Sequence, residues 1–427
     1  MKFIRNFMDK IEPDKAKSPF LHTLWDGMDT FFYVPNHVTK GRTHIKDGMD
    51  LKRTMIHVVL AMQFAFLIGM YNIGHQHYFS LGMYPGFFSG FFQKLIFGVL
   101  QYLPTIIVVH IVGLGIEFLF ATKKGHGIEE GFLVSGFLIP LIMPPATPLW
   151  IVALATAFAV VIAKEAFGGT GMNVFNVALV ARVFVFFAFP SEISGDEVWV
   201  TQDYTWLHKG FNAFASLFGA SDFFSIHNGA TLVDGWSGAT PLSLAAKGGW
   251  ESVQAYAVTI GGKVYHPYST SNLLWGNVPG SVGEVSKIGI ILGAIFLIFS
   301  KIGSWRIMLS LVLGAVFMSA LLNIVNSMYA NELTNAFLSV PWYYQFTMGG
   351  LLFAMAFMAT DPVTAAGTST GKWIYGFLIG VVGIIIRVLN PAYPEGWMLA
   401  ILLLNVFAPL IDYIVLQNNI KRRLQRA

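Results

Sequence analysis

Leu95-Ile96-Phe97-Gly98-Val99-Leu100-Gln101-Tyr102-Leu103-Pro104-Thr105-Ile106-Ile107-Val108-Val109-His110-Ile111-Val112-Gly113-Leu114-Gly115-Ile116-Glu117-Phe118-Leu119-Phe120 decides the fold class. Glu117 is its only carboxylate, and the run leaves into Lys123-Lys124. A soluble helix carries one apolar stripe. This stretch is apolar all round and exceeds the roughly 20 residues that cross a bilayer. The whole chain agrees: 427 residues are 55% hydrophobic, 15% aromatic with 38 Phe, and only 12% charged. A soluble domain carries about a quarter charged residues. Mean hydropathy is +0.61. The reading is an all-α integral membrane protein.

Working outward, Met55–Tyr71 precedes this run and is entered from Lys52-Arg53. Basic residues flank the pair on both outer sides, which puts the N-terminus and Lys123 in the cytoplasm. Further spans are expected at Gly131–Met143, Leu149–Ala163, Val177–Phe189, Val285–Ser300, Ile307–Val325, Pro341–Met358, Trp373–Leu389 and Met398–Leu416. The third is short and meets Pro140, Pro144, Pro145 and Pro148, which break a helix. The expectation is about ten transmembrane helices in two inverted five-helix repeats. Each half holds a Pro-Trp or Pro-Leu-Trp entry, an apolar helix, then a polar break (167–171 and 360–371).

The expected organisation is a cytoplasmic N-terminal extension (1–54), a first membrane repeat (55–189), an outer, periplasmic loop region (190–284), a second repeat (285–416) and a basic cytoplasmic tail (417–427). The start is polar and mixed in charge, without a cleavable leader. Acids outnumber bases in the loop region, which favours the outer face. Both termini are expected inside a cell inner membrane crossed many times. The net charge of +4 calls for no nucleic-acid partner. With no cysteine, thiolate zinc, iron–sulfur ligation and cysteinyl flavin links are excluded. His57, His75, His77 and His110 form no ligand-like pair within a span, so no resident metal or haem is expected.

The sharpest local signal is Asp234-Gly235-Trp236-Ser237-Gly238-Ala239-Thr240. Thr240 is a hydroxyl among small residues in a polar loop. It is a poor nucleophile alone and a good acceptor for a modifying enzyme. The plain alternative is a surface turn. Gly168-Gly169-Thr170-Gly171-Met172-Asn173-Val174-Phe175-Asn176 is loop at membrane depth, tolerated only when buried or lining a cavity. Its two asparagines suit the edge of a polar ring, or simply cap loop backbone. Among the ionisable residues in or at the ends of spans, Glu117, Asp361, Arg387 and Asp412 are singled out. Such groups are costly and by default functional. Snorkelling or pairing is the bland reading for Glu117, Arg387 and Asp412. Asp361 precedes Pro362 at a helix end, where carboxylate and freed carbonyl oxygens suit Na⁺. Phe353 and Phe357 lie four apart on one face.

Asp-x-x-Ser-Gly-Ala-Thr resembles a flavin-acceptor motif, and the landmarks extend along the chain. They include Val38-Thr39-Lys40, Asp50-Leu51-Lys52-Arg53, Ala163–Gly171, Ile193-Ser194-Gly195-Asp196, Asn277-Val278-Pro279-Gly280-Ser281, Phe357–Val363, Asn390–Gly396 and Asn419–Arg423. Together they resemble the B subunits of sodium-translocating NADH:quinone reductases. The related D subunits of Rnf complexes fit less well, because of the long polar N-terminal extension. The resemblance implies a urea-transporter-like fold. It implies FMN joined covalently to Thr240 through a phosphoester, with Asp234, Ser237, Gly238 and Ala239 around it. It implies non-covalent riboflavin at Asn173 and Asn176, although Val177 stands where the family usually has Pro. It implies a sodium path at Asp361, Phe353 and Phe357, to which Glu117 and Asp412 are added as further membrane acids. It also implies quinone, ubiquinone or menaquinone, near Gly113.

The expected partners are a flavoprotein subunit with the NADH site, a second subunit with covalent FMN, small membrane subunits, a flavin transferase for maturation, and the lipid bilayer. The expected function is electron transfer to quinone coupled to Na⁺ export. The competing class is a passive solute channel on the same fold, which would have no use for a flavin acceptor.

Overall fold

Hydrocarbon offers the backbone no hydrogen-bond partners, so apolar segments must close their bonds inside helices. The computed structural model describes residues 5, 10–14, 17–32, 51–84, 86–124, 131–196, 198–199, 205–217, 223–224, 237–260, 263–329, 335–390 and 393–426. In chain order its main helices are α1 (Pro19–Phe32), α2 (Leu51–Ser80), α3 (Phe91–Lys124), α4 (Phe132–Leu141), α5 (Leu149–Ala159), α6 (Val177–Ala188), α7 (Pro241–Ala255), α8 (Lys287–Phe299), α9 (Trp305–Met328), α10 (Ser369–Leu389) and α11 (Trp397–Leu424). Residues 33–50 of the expected N-terminal extension, and Asp234, lie outside the described residues.

Among the described residues, six helices are long and apolar enough to cross a membrane: α2, α3, α9, α10, α11 and α5 with the turns that continue it. α4, α6 and α8 are apolar but shorter. The expected eighth span is in pieces: a 3₁₀ turn Trp342–Phe346, a single turn Leu351–Phe353 and a π-helical turn Ala354–Met358. Six long spans and three shorter apolar helices support a helical membrane protein, and the expected eighth span is broken into short turns. Mean hydropathy reports what a segment is made of and not whether its helix runs unbroken.

Close glycine contacts set the helix packing. On α3, a Cβ at Gly98 would sit 1.8 Å from the Met70 carbonyl oxygen of α2. On α9, one at Gly314 would sit 2.2 Å from the Phe377 carbonyl of α10, and Gly380 of α10 meets Leu311 at 2.3 Å in return. Such approaches exclude any side chain and are how membrane helices gain dispersion energy without a hydrophobic drive. α8 packs on α2 across a long stretch of sequence, since Gly293 faces the Ala61 carbonyl of α2 at 2.4 Å. Ile107, Ile111, Leu309, Leu313 and Phe317 stay exposed along α3 and α9, as lipid-facing side chains do.

Segment 190–284 is not featureless loop. It holds a two-residue ladder, β1 (Val198–Trp199) with β2 (Ser237–Gly238), and a hairpin of β3 (Val258–Ile260) with β4 (Lys263–Tyr265). It also holds the helix Trp206–Ser216 and α7.

Candidate functional site

Thr240 is the N-cap of α7, followed by Pro241 at the first helical position. Both are preferred there, because the Thr hydroxyl satisfies a free amide and proline has none to lose. The Thr240 Oγ1 accepts from the Ser243 amide at 3.3 Å, and the Thr240 amide donates to the Gly195 carbonyl at 2.8 Å. The preceding Ser237-Gly238 pairs with Val198-Trp199, and the Ala239 carbonyl accepts from the Tyr268 hydroxyl. Thr240 is thus held from three sides. It is half-buried and opens on a cavity of about 320 Å³. At the rim, Asp196 accepts from the Ser243 hydroxyl and pairs with Lys247 at 3.1 Å. The Ser243 hydroxyl, helped by Lys247, holds the Asp196 carboxyl below its usual range despite partial burial.

The inner wall of this cavity is charged. Arg182 of α6 donates to Glu284 at 2.6 Å and also to Glu395. Lys287 of α8 donates to the carbonyls of Glu284 at 2.6 Å and Gly349 at 2.8 Å. Behind the wall, Arg387 of α10 donates to the carbonyls of Gln345 at 2.8 Å and Glu395 at 3.3 Å, and lies over the Trp397 ring. Arg182, Lys287 and Arg387 are all buried. Removing one partner of such a pair typically costs about 3–5 kcal/mol.

A second, smaller cavity of about 70 Å³ is lined by Asn173, Asn176, Asp361, Phe357, Thr360, Thr170 and Lys164, among others. Two π-helical turns end on it: Val160–Lys164, which continues α5, and Ala354–Met358. Asn176 is the N-cap of α6, its Oδ1 accepting from the Leu179 amide at 3.2 Å. Its Nδ2 donates to Asp361 Oδ2 at 3.4 Å. Asp361 also accepts from the Val363 amide and the Thr364 hydroxyl, each at 3.1 Å. The structure therefore brings together Asn173, Asn176, Phe357 and Asp361, residues read separately from the sequence. Phe353 packs on Phe357 with ring centres 5.0 Å apart, both buried. Met348 and Gly349 line the larger cavity and Phe357, Thr360 and Asp361 the smaller one. The phenylalanine pair stands between the two along this segment.

Other expected residues are placed differently. Glu117 is buried in an ion pair with Lys164, which lines the small cavity, while Glu117 itself does not. Lys124 pairs with Glu165 nearby at 3.0 Å. Asp412 accepts from the amides of Gly367 at 2.6 Å and Thr368 at 3.0 Å, holds the loop entering α10, and lines neither cavity. Gly113 packs against Phe132, a Cβ there falling 1.8 Å from the ring, and it too lines neither cavity. Asn173 donates to the Phe175 carbonyl at 3.0 Å, the loop-capping role. Sequence reasoning passed over Arg182, Glu284, Lys287 and Glu395. Arg182 was visible as a cation inside an apolar span. The other three sit at span edges, where charge is ordinary. Among the described residues, no His, Asp and Glu cluster has the form of a metal site.

Comparison with known proteins places these features in a family. The model of the NQR2, RnfD, RnfE family matches residues 38–421. The chain is similar to the B subunit of the Na(+)-translocating NADH-quinone reductase of Ectopseudomonas mendocina (strain ymp), 43% identical with 99% of each chain covered. The proteins of the same name from Klebsiella pneumoniae (strain 342) and Stutzerimonas stutzeri (strain A1501) are 41% and 42% identical, again over 99% of each chain.

Proposed function

Because the chain belongs to the NQR2, RnfD, RnfE family, we propose that it is the membrane subunit of a sodium-translocating NADH:quinone reductase, carrying FMN on Thr240. One observation carries the flavin assignment: an acceptor hydroxyl capping a helix and opening on a cavity of about 320 Å³. That volume is within the range of small-molecule sites, about 300–1,000 Å³, so the residues present fit the group. When bound, FMN supplies one-electron and two-electron transfer. The chain's own part is to hold it. Esterified Thr240 Oγ1 would carry a phosphodiester at the N-terminus of α7, where free amides and the helix dipole favour negative charge. Pairing of Asp196 with Ser243 and Lys247 keeps that carboxylate from facing the phosphate unscreened.

Riboflavin at Asn173 and Asn176 fits less well. About 70 Å³ holds roughly two waters at about 30 Å³ each. An ion and its water fit this space, and a three-ring flavin needs the walls to part, so no electron step is drawn through the site. Asp361 is the proposed sodium ligand there, with Phe353 and Phe357 as the barrier toward the larger cavity. Each Na⁺ exported works against about 2.3 kcal/mol per 100 mV. The remaining assignments belong to the same proposal: quinone near Gly113, an NADH-oxidising flavoprotein, a second FMN-bearing subunit and small membrane subunits as partners, and a flavin transferase in maturation. So do the inner-membrane location with segment 190–284 outside, and the pairing of inverted halves on a urea-transporter-like plan.

The test is a denaturing gel viewed under ultraviolet light, with a flavin transferase co-expressed. A fluorescent band is expected for the wild type and none for Thr240→Ala. A band that survives the substitution removes the assignment. A colourless purified wild-type protein would favour the passive channel.

A further inference from the structure

The charged residues lining the larger cavity balance, and the surplus comes from Arg387 directly behind them. Arg182, Lys287 and Arg387 face Glu284 and Glu395, three cations against two carboxylates. The nearby Asp196–Lys247 pair at the rim is neutral as a unit and adds nothing. By formal charge, one positive charge is therefore left over in a buried site. Lys287 donates to backbone carbonyls, and one guanidinium nitrogen of Arg387, Nη2, has no hydrogen-bond partner among the described residues although fully enclosed. That nitrogen presses on Gly349, which lines the cavity, since a Cβ on Gly349 would fall 3.0 Å from it. A buried surplus charge is costly unless something compensates it. Electrostatic stabilisation in a water-poor site acts where charge develops.

We propose that Arg182, Glu284, Lys287, Arg387 and Glu395 form a net-positive seat for the ring of the flavin held on Thr240, with Lys287 the positioning residue that favours the negative charge gained on reduction. This rests on the flavin reading of Thr240. The balance is simple. One electron, delivered by the NADH-oxidising partner, adds one negative charge to the ring, with no proton required at that moment. The seat supplies the single opposite charge. Lys287 acts through the field at the ring and neither transfers a proton nor bonds to it. The alternative source of compensation is the phosphodiester on Thr240, which would use the same charge without regard to the redox state of the ring.

The test uses the whole reductase complex carrying Lys287→Gln, Lys287→Arg or Glu395→Gln. In-gel flavin fluorescence first shows that Thr240 is still modified. Potentiometric titration of that flavin is then read against the other flavins of the complex as internal references. Lys287→Gln should shift the one-electron equilibrium at least tenfold against reduction, 59 mV for one electron. Lys287→Arg should restore it, and Glu395→Gln, which enlarges the surplus, should shift it the opposite way. Opposite signs from two substitutions in one cluster are not what general loosening of the fold produces. If the flavin is attached in Lys287→Gln and Glu395→Gln and its potential is unmoved in both, the seat does not serve the ring. Loss of attachment in Lys287→Gln with an unmoved potential in Glu395→Gln assigns the charge to the phosphodiester and likewise overturns the proposal. If fluorescence persists in Thr240→Ala, the flavin reading fails first, independently of the cluster.

Discussion

Asp361 has a structural role beside the sodium-binding role proposed for it. Its oxygens take the Val363 amide, the Thr364 hydroxyl and Asn176, so the bland role of holding a helix break is real. Yet it lines the smaller cavity, and the three donors bonded to it are neutral, so the proposed sodium role concerns the carboxylate charge itself. Asp361→Asn keeps the shape and removes the charge. The expected outcome is an assembled, flavin-bearing complex whose Na⁺ concentration for half-maximal quinone reduction rises about tenfold, since a contact to a charged group is worth about 1.5–3 kcal/mol. An unchanged Na⁺ dependence would leave Asp361 as a structural cap. Thr240, Asn176 and Asp361 were legible in the sequence because each stands in a polar break between apolar runs. The Arg182 cluster was not, because its members come from three stretches of the chain, at 182, 284–287 and 387–395, and their pairing exists only after folding.

α6 is the element that ties the two cavities together. Its N-cap Asn176 reaches Asp361 in the small cavity, and Arg182, about two turns on, reaches Glu284 and Glu395 at the large one. Asn176→Ala removes the cap and the Asp361 contact at once, and is expected to lower stability in detergent by about 1 kcal/mol or more. Thermal unfolding measured by intrinsic fluorescence checks this, and an unchanged midpoint would mean that the cap is dispensable. The α9–α10 contact makes a sharper demand. Gly380→Leu places a side chain where the Leu311 carbonyl lies 2.3 Å from a Cβ position, so the helices must separate. Loss of the folded protein from detergent extracts on size-exclusion chromatography is expected, and normal yield would contradict this packing. The apolar helices were legible in the sequence, because polar breaks and basic flanks interrupt the apolar runs. That 341–358 is three short pieces, and that two breaks end in π turns, was not. A π turn depends on which carbonyl an amide selects, a choice made by tertiary packing and not by composition.

At the scale of the whole molecule, the account requires electrons and sodium to meet in one membrane protein with segment 190–284 outside. The chain has no cysteine, so a single one can be introduced cleanly. Ser216→Cys, on an exposed helix of that segment, should react with an impermeant maleimide from the periplasmic side of an intact inner membrane. Reaction only after opening the cytoplasmic side would invert the topology. Basic flanks are the sequence's signal for sidedness, which this labelling tests, whereas the pairing of halves is a property of the fold. The most direct test of the central claim is NADH-driven ²²Na⁺ uptake into inside-out vesicles holding the complete complex, measured with and without this chain. The account predicts Na⁺ accumulation that follows NADH oxidation, persists when protons are freely permeant, and disappears without the chain or in Thr240→Ala. Quinone reduction indifferent to Na⁺, with no accumulation in vesicles that contain the chain and its flavins, would contradict it.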